Sequence, residues 1–173
     1  SYVAPERCRF DFSSAAALSD GERTQVEDLV NQRILQNADV SWKQTDIDSA
    51  RAEGAMALFG EKYGSTVRMV SVGDFSRELC GGCHVKKTGD IGSFRILAES
   101  SVAAGVRRIE ACTGMSAVRM NREDSRLVAG LANGLKIPAR ELPDRIAALQ
   151  AEEKRLRKEL SALREGQLMA QLD

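Results

Sequence analysis

Aromatic residues, histidine and net charge are all scarce in this sequence of 173 residues. Phe, Trp and Tyr together make up 5% of the chain, and His84 is its single histidine. So few aromatics argue against a haem pocket, because cofactor pockets are lined mainly by apolar and aromatic side chains. Lysine plus arginine equal aspartate plus glutamate at 25 each, so the whole-chain charge does not indicate nucleic acid, although a local basic patch is compatible with it.

Long hydrophobic runs and secretion signals are also missing from the sequence. No apolar run is long enough to span a bilayer, and the first residues, SYVAPERCRF, lack the basic-then-apolar pattern of a signal peptide. The four cysteines are sparse, and their spacing does not resemble a secreted disulfide framework. With 43% hydrophobic and 29% charged residues, the composition predicts a globular, reduced protein of the cytoplasm without a membrane partner.

The first two thirds of the chain mix strand and helix patterns. Helices are predicted at 19–38, where Ser19 and Glu22 form a capping-box pattern, and at 46–59, where Asp46 is the candidate cap and Gly54 weakens the middle. Strands are predicted at 8–12, 40–45, 66–73, 93–100 and 105–114, with SVAA (101–104) joining the last two as a hairpin. This order predicts an α+β fold of two layers, a mainly antiparallel sheet packed by helices, over residues 1–114.

The pattern changes to continuous helix from residue 115. A first helix is expected to end near Gly134, and the prolines of KIPARELP interrupt the chain before a second helix begins. Leucines and an isoleucine then recur at alternating three- and four-residue steps for about three heptads, with Glu153 breaking the seam. Residues 115–173 are therefore predicted to form a helical extension, either a coiled coil or an amphipathic helix packed on its own domain.

The segment ELCGGCHV (78–85) contains three overlapping ligand or redox spacings. C-x-x-C-H is the haem-attachment spacing, C-x-x-C is a redox spacing, and Cys80 with His84 supplies one sulfur and one imidazole for zinc. A redox pair needs a helix after the first cysteine, whereas HVKKTGDIGSF is a poor helix former. No second histidine exists in the chain. Spacing alone thus leaves open half of a zinc site or a plain tight turn with two buried thiols.

A longer stretch carries a family resemblance. GDFSRELCGGCHVKKTGDIGSFRI, followed by ESSVAAGVRRIEACTG, resembles alanyl-tRNA synthetases in the part that forms their editing domain. APERCRFDFS, GAMALFGEKYG (54–64) and the helical tail agree, so the resemblance covers nearly the whole chain. It implies that Cys80 and His84 match the zinc-binding cysteine and histidine of C-G-G-T-H, and that Cys83 stands where the family usually has threonine.

The same resemblance implies an incomplete metal site. The family's other two zinc ligands are histidines of an H-x-x-x-H motif shortly before the strand that matches RFDF. We therefore expect this chain to be a fragment, with part of the editing domain at 1–114 and the start of the C-terminal helical region at 115–173. Zinc is expected to bind it weakly or not at all.

The resemblance also implies a function. The full enzyme attaches alanine to tRNA using ATP, and its editing domain hydrolyses tRNA that carries serine or glycine, which a pocket for alanine rejects only weakly. Backbone N–H groups of Gly81 and Gly82 are candidates for stabilising an oxyanion, with a plain turn as the alternative. Arg107 and Arg108 are candidates for contacting phosphates at the tRNA acceptor end, with a charged strand face as the alternative.

Three expectations follow for the isolated chain. It should neither bind ATP nor charge tRNA, and it should have little editing activity. Its C-terminal helices are candidates for homodimer formation, as in the family's corresponding region. The competing hypothesis is a non-catalytic module for helical dimerisation or tRNA docking; a free-standing editing protein would need its own H-x-x-x-H.

Overall fold

The computed structural model describes residues 1–56 and 64–170, with side chains described as far as 165. It divides into two compact units, Ser1–Met120 and Asn121–Asp173. Within the described residues, no helix combines the length and the apolar character that crossing a membrane requires.

The described elements are seven strands and four α-helices. The strands are β1 (Tyr2–Val3), β2 (Cys8–Ser13), β3 (Val40–Asp46), β4 (Thr66–Val72), β5 (Ser76–Leu79), β6 (Phe94–Ala103) and β7 (Val106–Thr113). The helices are α1 (Asp20–Leu35), α2 (Ile47–Ala52), α3 (Gly114–Leu135) and α4 (Leu142–Ala170), with short 3-10 turns at Thr88–Ile91 and Ala139–Glu141. The predicted α+β class with antiparallel pairing is confirmed.

The strands form two antiparallel sheets. One has four strands in the order β1-β2-β7-β6, and the other has three in the order β3-β4-β5. The core of the smaller sheet consists of Val67 and Met69 on β4, Leu79 on β5 and Ala50 on α2, all buried. The register pairs Met69 with Leu79, so these two side chains point to the same face, towards α2.

Helix α1 begins as its sequence predicts. The Ser19 hydroxyl oxygen accepts a hydrogen bond from the Glu22 N–H at 3.2 Å, and the Glu22 carboxylate accepts one from the Ser19 N–H at 2.8 Å. The capping box is therefore confirmed, and the acidic first turn also suits the positive end of the helix dipole.

The second predicted helix is shorter than expected. Asp46 caps α2 by accepting from the Ser49 N–H at 2.9 Å, but the helix ends at Ala52 rather than continuing. Gly54 has a φ of +84°, a left-handed conformation that stops the helix instead of merely weakening it. The prediction of helix over 53–56 is wrong, and positions 57–59 lie outside the described residues.

The hairpin between β6 and β7 is tighter than predicted. β6 continues through Ala103, so most of SVAA is strand, and Gly105 with a φ of +70° makes the turn. β5 and the 3-10 turn at Thr88–Ile91 were not predicted, because their sequences lack a clear strand or helix period.

The motif TGDIG has a structural role next to α1. Thr88 is buried; its hydroxyl donates to the Arg33 carbonyl at 2.9 Å and accepts from the Ala38 N–H at 2.9 Å. It thereby satisfies a carbonyl at the C-terminal end of α1 that has no partner within the helix. The next residue has to be a glycine, because a Cβ at Gly89 would lie 2.4 Å from the Asn37 Oδ1.

The C-terminal part of the chain is helical as far as residue 170, in agreement with the predicted helical extension. The first helix ends one residue beyond Gly134, and Lys136 turns the chain with a φ of +56°. Ala132 and Leu142 are buried, whereas several apolar residues along α4 are exposed, among them Leu156 and Leu160.

Candidate functional site

The segment CGGCH leaves the smaller sheet at the end of β5. The Cys80 N–H donates to the Arg68 carbonyl at 3.1 Å, one step beyond the Met69–Leu79 pair. The chain then runs without helix or strand until the bridge between Lys87 and Asp39. No helix follows Cys80, so the geometry required for a helix-activated redox pair is not present there.

The carbonyls of this turn face an arginine. One guanidinium nitrogen of Arg68, Nη1, donates to the Cys80 carbonyl at 2.9 Å and to the Gly82 carbonyl at 2.6 Å. The guanidinium lies over the Trp42 ring at 4.9 Å from its centre. Cys80 and Gly82 are thus held by the same cation, which in turn is held by an aromatic ring on β3.

The three potential metal ligands of the motif differ in exposure. Cys80 is half-buried, and its Sγ accepts from the Gly82 N–H at 3.4 Å, whereas Cys83 and His84 are exposed. The notion of two buried thiols is therefore wrong for Cys83. All four cysteines are free thiols.

These donors do not by themselves fit a complete zinc site. Catalytic zinc takes three protein ligands and structural zinc takes four. Over residues 1–56 and 64–170, no three side chains of His, Cys, Asp or Glu come together as a metal-binding group. The assignment of Cys80 and His84 as zinc ligands stays a prediction.

The two candidate glycines differ in what surrounds them. A Cβ on Gly81 would meet no atom within 4 Å, so this position faces open space. The Gly82 N–H already points at the Cys80 sulfur, a weak acceptor that a better one would displace. The oxyanion role of both N–H groups stays a prediction.

Arg107 and Arg108 both form ion pairs on β7. Arg107 Nε donates to Glu99 at 2.8 Å, and the Glu99 side chain is only 4% exposed. Arg108 makes two hydrogen bonds to Asp11, at 2.6 and 2.8 Å, in a more exposed position. A phosphate contact by either residue, which stays a prediction, would compete with these carboxylates.

These ion pairs lower the pKa of the carboxylates that take part in them. Burial raises the pKa of Glu99, but the hydrogen bonds from Arg107 and from the Leu18 N–H outweigh it, so the pKa lies below its ordinary value. The hydrogen bond from Arg108 is the main cause that lowers the pKa of Asp11. Both carboxylates therefore remain ionised at neutral pH.

Arg68 and Trp42 were missed as residues of the site. The alternation of TVRMVSV places Arg68 on the opposite face from Val67 and Met69, which is a detectable signal. The contact with CGGCH is not encoded locally, because it depends on the pairing of β4 with β5.

Comparison with known families gives one domain match. Residues 67–110 match the family described as the threonyl and alanyl tRNA synthetase second additional domain. This stretch contains β5, the turn at Cys80 and all but the end of β7.

Curated proteins match over nearly the whole chain. An alanine–tRNA ligase of Haemophilus influenzae is 47% identical over 169 residues, which cover 98% of this chain and 19% of that protein. The corresponding ligase of Paramagnetospirillum magneticum is 51% identical over 95% of this chain and 19% of its own length. That of Leptothrix cholodnii is 52% identical over 93% of this chain and 18% of its own length. The chain thus spans about a fifth of the curated relatives that it matches.

Proposed function

We propose that this chain, which is homologous over nearly its whole length to one segment of alanine–tRNA ligases, is part of an editing domain that hydrolyses mischarged tRNA. The substrate would be tRNA(Ala) carrying serine or glycine on its acceptor end. The observation that carries the proposal is the domain match at 67–110, which includes Cys80 and His84, within homology that spans 98% of the chain. The whole protein would then attach alanine to tRNA using ATP.

Hydrolysis of such a substrate is an ester cleavage. Water adds to the ester carbonyl, the bond from the carbonyl carbon to the ribose oxygen breaks, and that oxygen takes up a proton. The developing oxyanion needs donors, and the N–H groups of Gly81 and Gly82 are the nearest to Cys80 along the chain. The open space at Gly81 supports this role, because a substrate carbonyl has room to approach there.

A chimera tests the proposed function. In the Haemophilus influenzae relative, the matching segment would be replaced by this chain, and release of serine from Ser-tRNA(Ala) would be measured. We expect the chimera to deacylate Ser-tRNA(Ala) and to spare Ala-tRNA(Ala), and we expect Cys80→Ser or His84→Ala to abolish this. The Lys86→Ala variant, next to the motif, is the matched control. A chimera that charges alanine yet leaves Ser-tRNA(Ala) intact would contradict the proposal.

For the purified chain alone, we expect little deacylation and weak or absent zinc. The described residues bring too few donors together for a stable site. Metal analysis after gel filtration should give well under one zinc per chain. Tightly held zinc at one per chain would contradict this expectation, and loss of that metal in Cys83→Ser would identify Cys83 as an additional ligand.

A second candidate function is helical dimerisation through α4. Leu149, Leu156 and Leu160 are exposed along one groove of this helix, beside Glu152, Glu153 and Arg157. Exposed apolar positions at heptad spacing are typical of a helix that pairs with a second copy. Sedimentation of the full chain and of a chain ending at 137 tests this: an unchanged mass state would contradict it, and Leu160→Lys should dissociate the dimer.

A further inference from the structure

We propose that Arg68, supported by Trp42, is a positioning residue that sets the shape of the turn from Cys80 to Gly82. Its importance for hydrolysis rests on the proposed function. The arrangement itself depends only on contacts within this chain and is tested without tRNA or metal.

Arg68 holds the turn at three points. Its backbone carbonyl accepts from the Cys80 N–H at 3.1 Å, and its Nη1 donates to the carbonyls of Cys80 and Gly82. Hydrogen bonds from a charged donor are stronger than neutral ones, and here two of them converge on one cation. The carbonyls of residues 80 and 82 are therefore drawn to the same side of the turn.

The two hydrogen bonds to Arg68 also determine where the N–H groups of the turn point. With both carbonyls occupied by Arg68, the Gly82 N–H is directed at the Cys80 Sγ, 3.4 Å away. The N–H groups of the turn and the Cys80 sulfur are the groups to which the proposed function assigns roles. The Arg68 side chain contacts neither the N–H groups of Gly81 and Gly82 nor the Cys80 sulfur, and it acts through the backbone that carries them.

Trp42 limits the freedom of the guanidinium. The register pairs Trp42 with Val70 and Gln44 with Arg68, so Trp42 and Arg68 lie diagonally on one face of the sheet. The guanidinium lies 4.9 Å from the ring centre, within cation–π range. Trp42 is 60% exposed, so burial in a core does not explain its place on β3, whereas orienting Arg68 does.

Amide hydrogen exchange and alkylation of the full chain test the inference. Arg68→Met keeps the aliphatic bulk but removes both side-chain hydrogen bonds, and Arg68→Lys keeps one charged donor. We expect Arg68→Met to raise exchange by about tenfold at the amides of Cys80 and Gly82, whose N–H groups are hydrogen-bonded in the turn, and to change the alkylation rate of Cys80, with Arg68→Lys in between. Alkylation is measured in a Cys83→Ser background, because Cys83 is an exposed thiol, whereas burial raises the pKa of Cys8 and Cys112 and keeps both protonated.

Two further variants complete the design. Arg33 also lies over an aromatic ring, 4.9 Å from the centre of Phe75, so Arg33→Lys is the matched control and should leave exchange at the Cys80 and Gly82 amides unchanged. Trp42→Leu keeps Arg68 and should give a smaller increase at the same amides. Should Arg68→Met fail to fold, Trp42→Leu decides: an increase confined to the Cys80 and Gly82 amides supports the inference, and no increase there overturns it.

The outcomes separate this inference from the proposed function. Unchanged exchange at the Cys80 and Gly82 amides in Arg68→Met, or an equal increase in the core amides of β4, overturns the positioning role whatever the chimera does. A chimera without deacylation contradicts the editing function but leaves the effect of Arg68 on the turn intact.

Discussion

The side-chain amide of Asn31 on α1 pairs with the backbone of Phe94 on β6. Its Nδ2 donates to the Phe94 carbonyl, and its Oδ1 accepts from the Phe94 N–H, both at 2.9 Å. One turn earlier, Glu27 accepts from the Ile96 N–H at 2.7 Å. Because β6 is an edge strand, these side chains satisfy backbone groups that would otherwise be free to pair with another chain.

We expect Asn31→Ala to destabilise the chain by about 1–3 kcal/mol, since it leaves partly buried backbone groups of Phe94 without partners. Urea unfolding measures the difference. Gln32→Ala, at an exposed position of the same helix, is the control and should change stability by no more than about 0.5 kcal/mol. Equal effects of the two variants would show that the pairing of Asn31 with β6 contributes nothing to the free energy of unfolding.

Gly92 lies just before β6 and Gly114 directly after β7, and the two glycines are in close contact. Gly92 has a φ of +71°, and a Cβ there would lie 3.0 Å from the Gly114 Cα. Gly92→Ala therefore combines a strained backbone with a clash, and we expect a loss of about 1–3 kcal/mol. Gly130→Ala, in the interior of α3 with nothing within 4 Å, should instead stabilise by about 0.5–1 kcal/mol. Thermal unfolding of both variants should show shifts of opposite sign; a stabilising Gly92→Ala would contradict the prediction.

The capping box shows what could be predicted from sequence. Ser19 and Glu22 interact across three residues, so both partners can be seen in a short window. The end of α2 depends on a backbone angle: the left-handed φ of Gly54 stops the helix that the sequence pattern predicts over 46–59. Periodicity alone does not reveal the backbone angle that a glycine takes.

The contacts that hold the candidate site could not be predicted from a short window of sequence. Arg68 meets Cys80 only because β4 and β5 pair in a particular register, and Thr88 reaches Arg33 across 55 residues. Such contacts follow from the tertiary fold. The family resemblance marks Cys80 and His84 as ligands but does not say which side chains hold their turn.

Arg107 and Arg108 make a matched pair for testing the tRNA contact. Arg108→Gln should weaken binding of tRNA(Ala) and reduce its salt dependence by about one unit of slope, as expected for one lost phosphate contact. Asp11→Asn should strengthen binding, because it releases Arg108 from its carboxylate. Arg107 is 18% exposed and bonded to Glu99, so we expect Arg107→Gln to act more on stability than on binding.

The control for this titration is Arg140→Gln, a side chain that is 85% exposed on the second unit. Filter binding at several salt concentrations gives the slopes. Identical slopes for the wild type, Arg108→Gln and Arg140→Gln would mean that β7 is simply a charged strand face.

Glu99 should make stability depend on pH in the acid range. Its pKa is lowered in the folded chain: burial opposes this, but the bonds from Arg107 and the Leu18 N–H prevail. A group whose folded pKa is depressed stabilises above its unfolded pKa, about 4.3, and this stabilisation is lost as pH falls through the folded value. Between about pH 5 and pH 3, the wild type should therefore lose more stability than Glu99→Gln does.

The measurement is the urea midpoint of both proteins at pH 7 and at steps down to about pH 3, where the unfolded carboxyl is already protonated. The informative quantity is the difference between the two curves, because Asp11, Glu22 and Asp46 also have lowered pKa values and contribute equally to both. Asp11→Asn is the comparison for a more exposed ion pair. It should change the dependence of stability on pH less, since water screens the pair of Asp11 and Arg108. Parallel curves for the wild type and Glu99→Gln would mean that the carboxylate of Glu99 is no better stabilised in the folded chain than in the unfolded one.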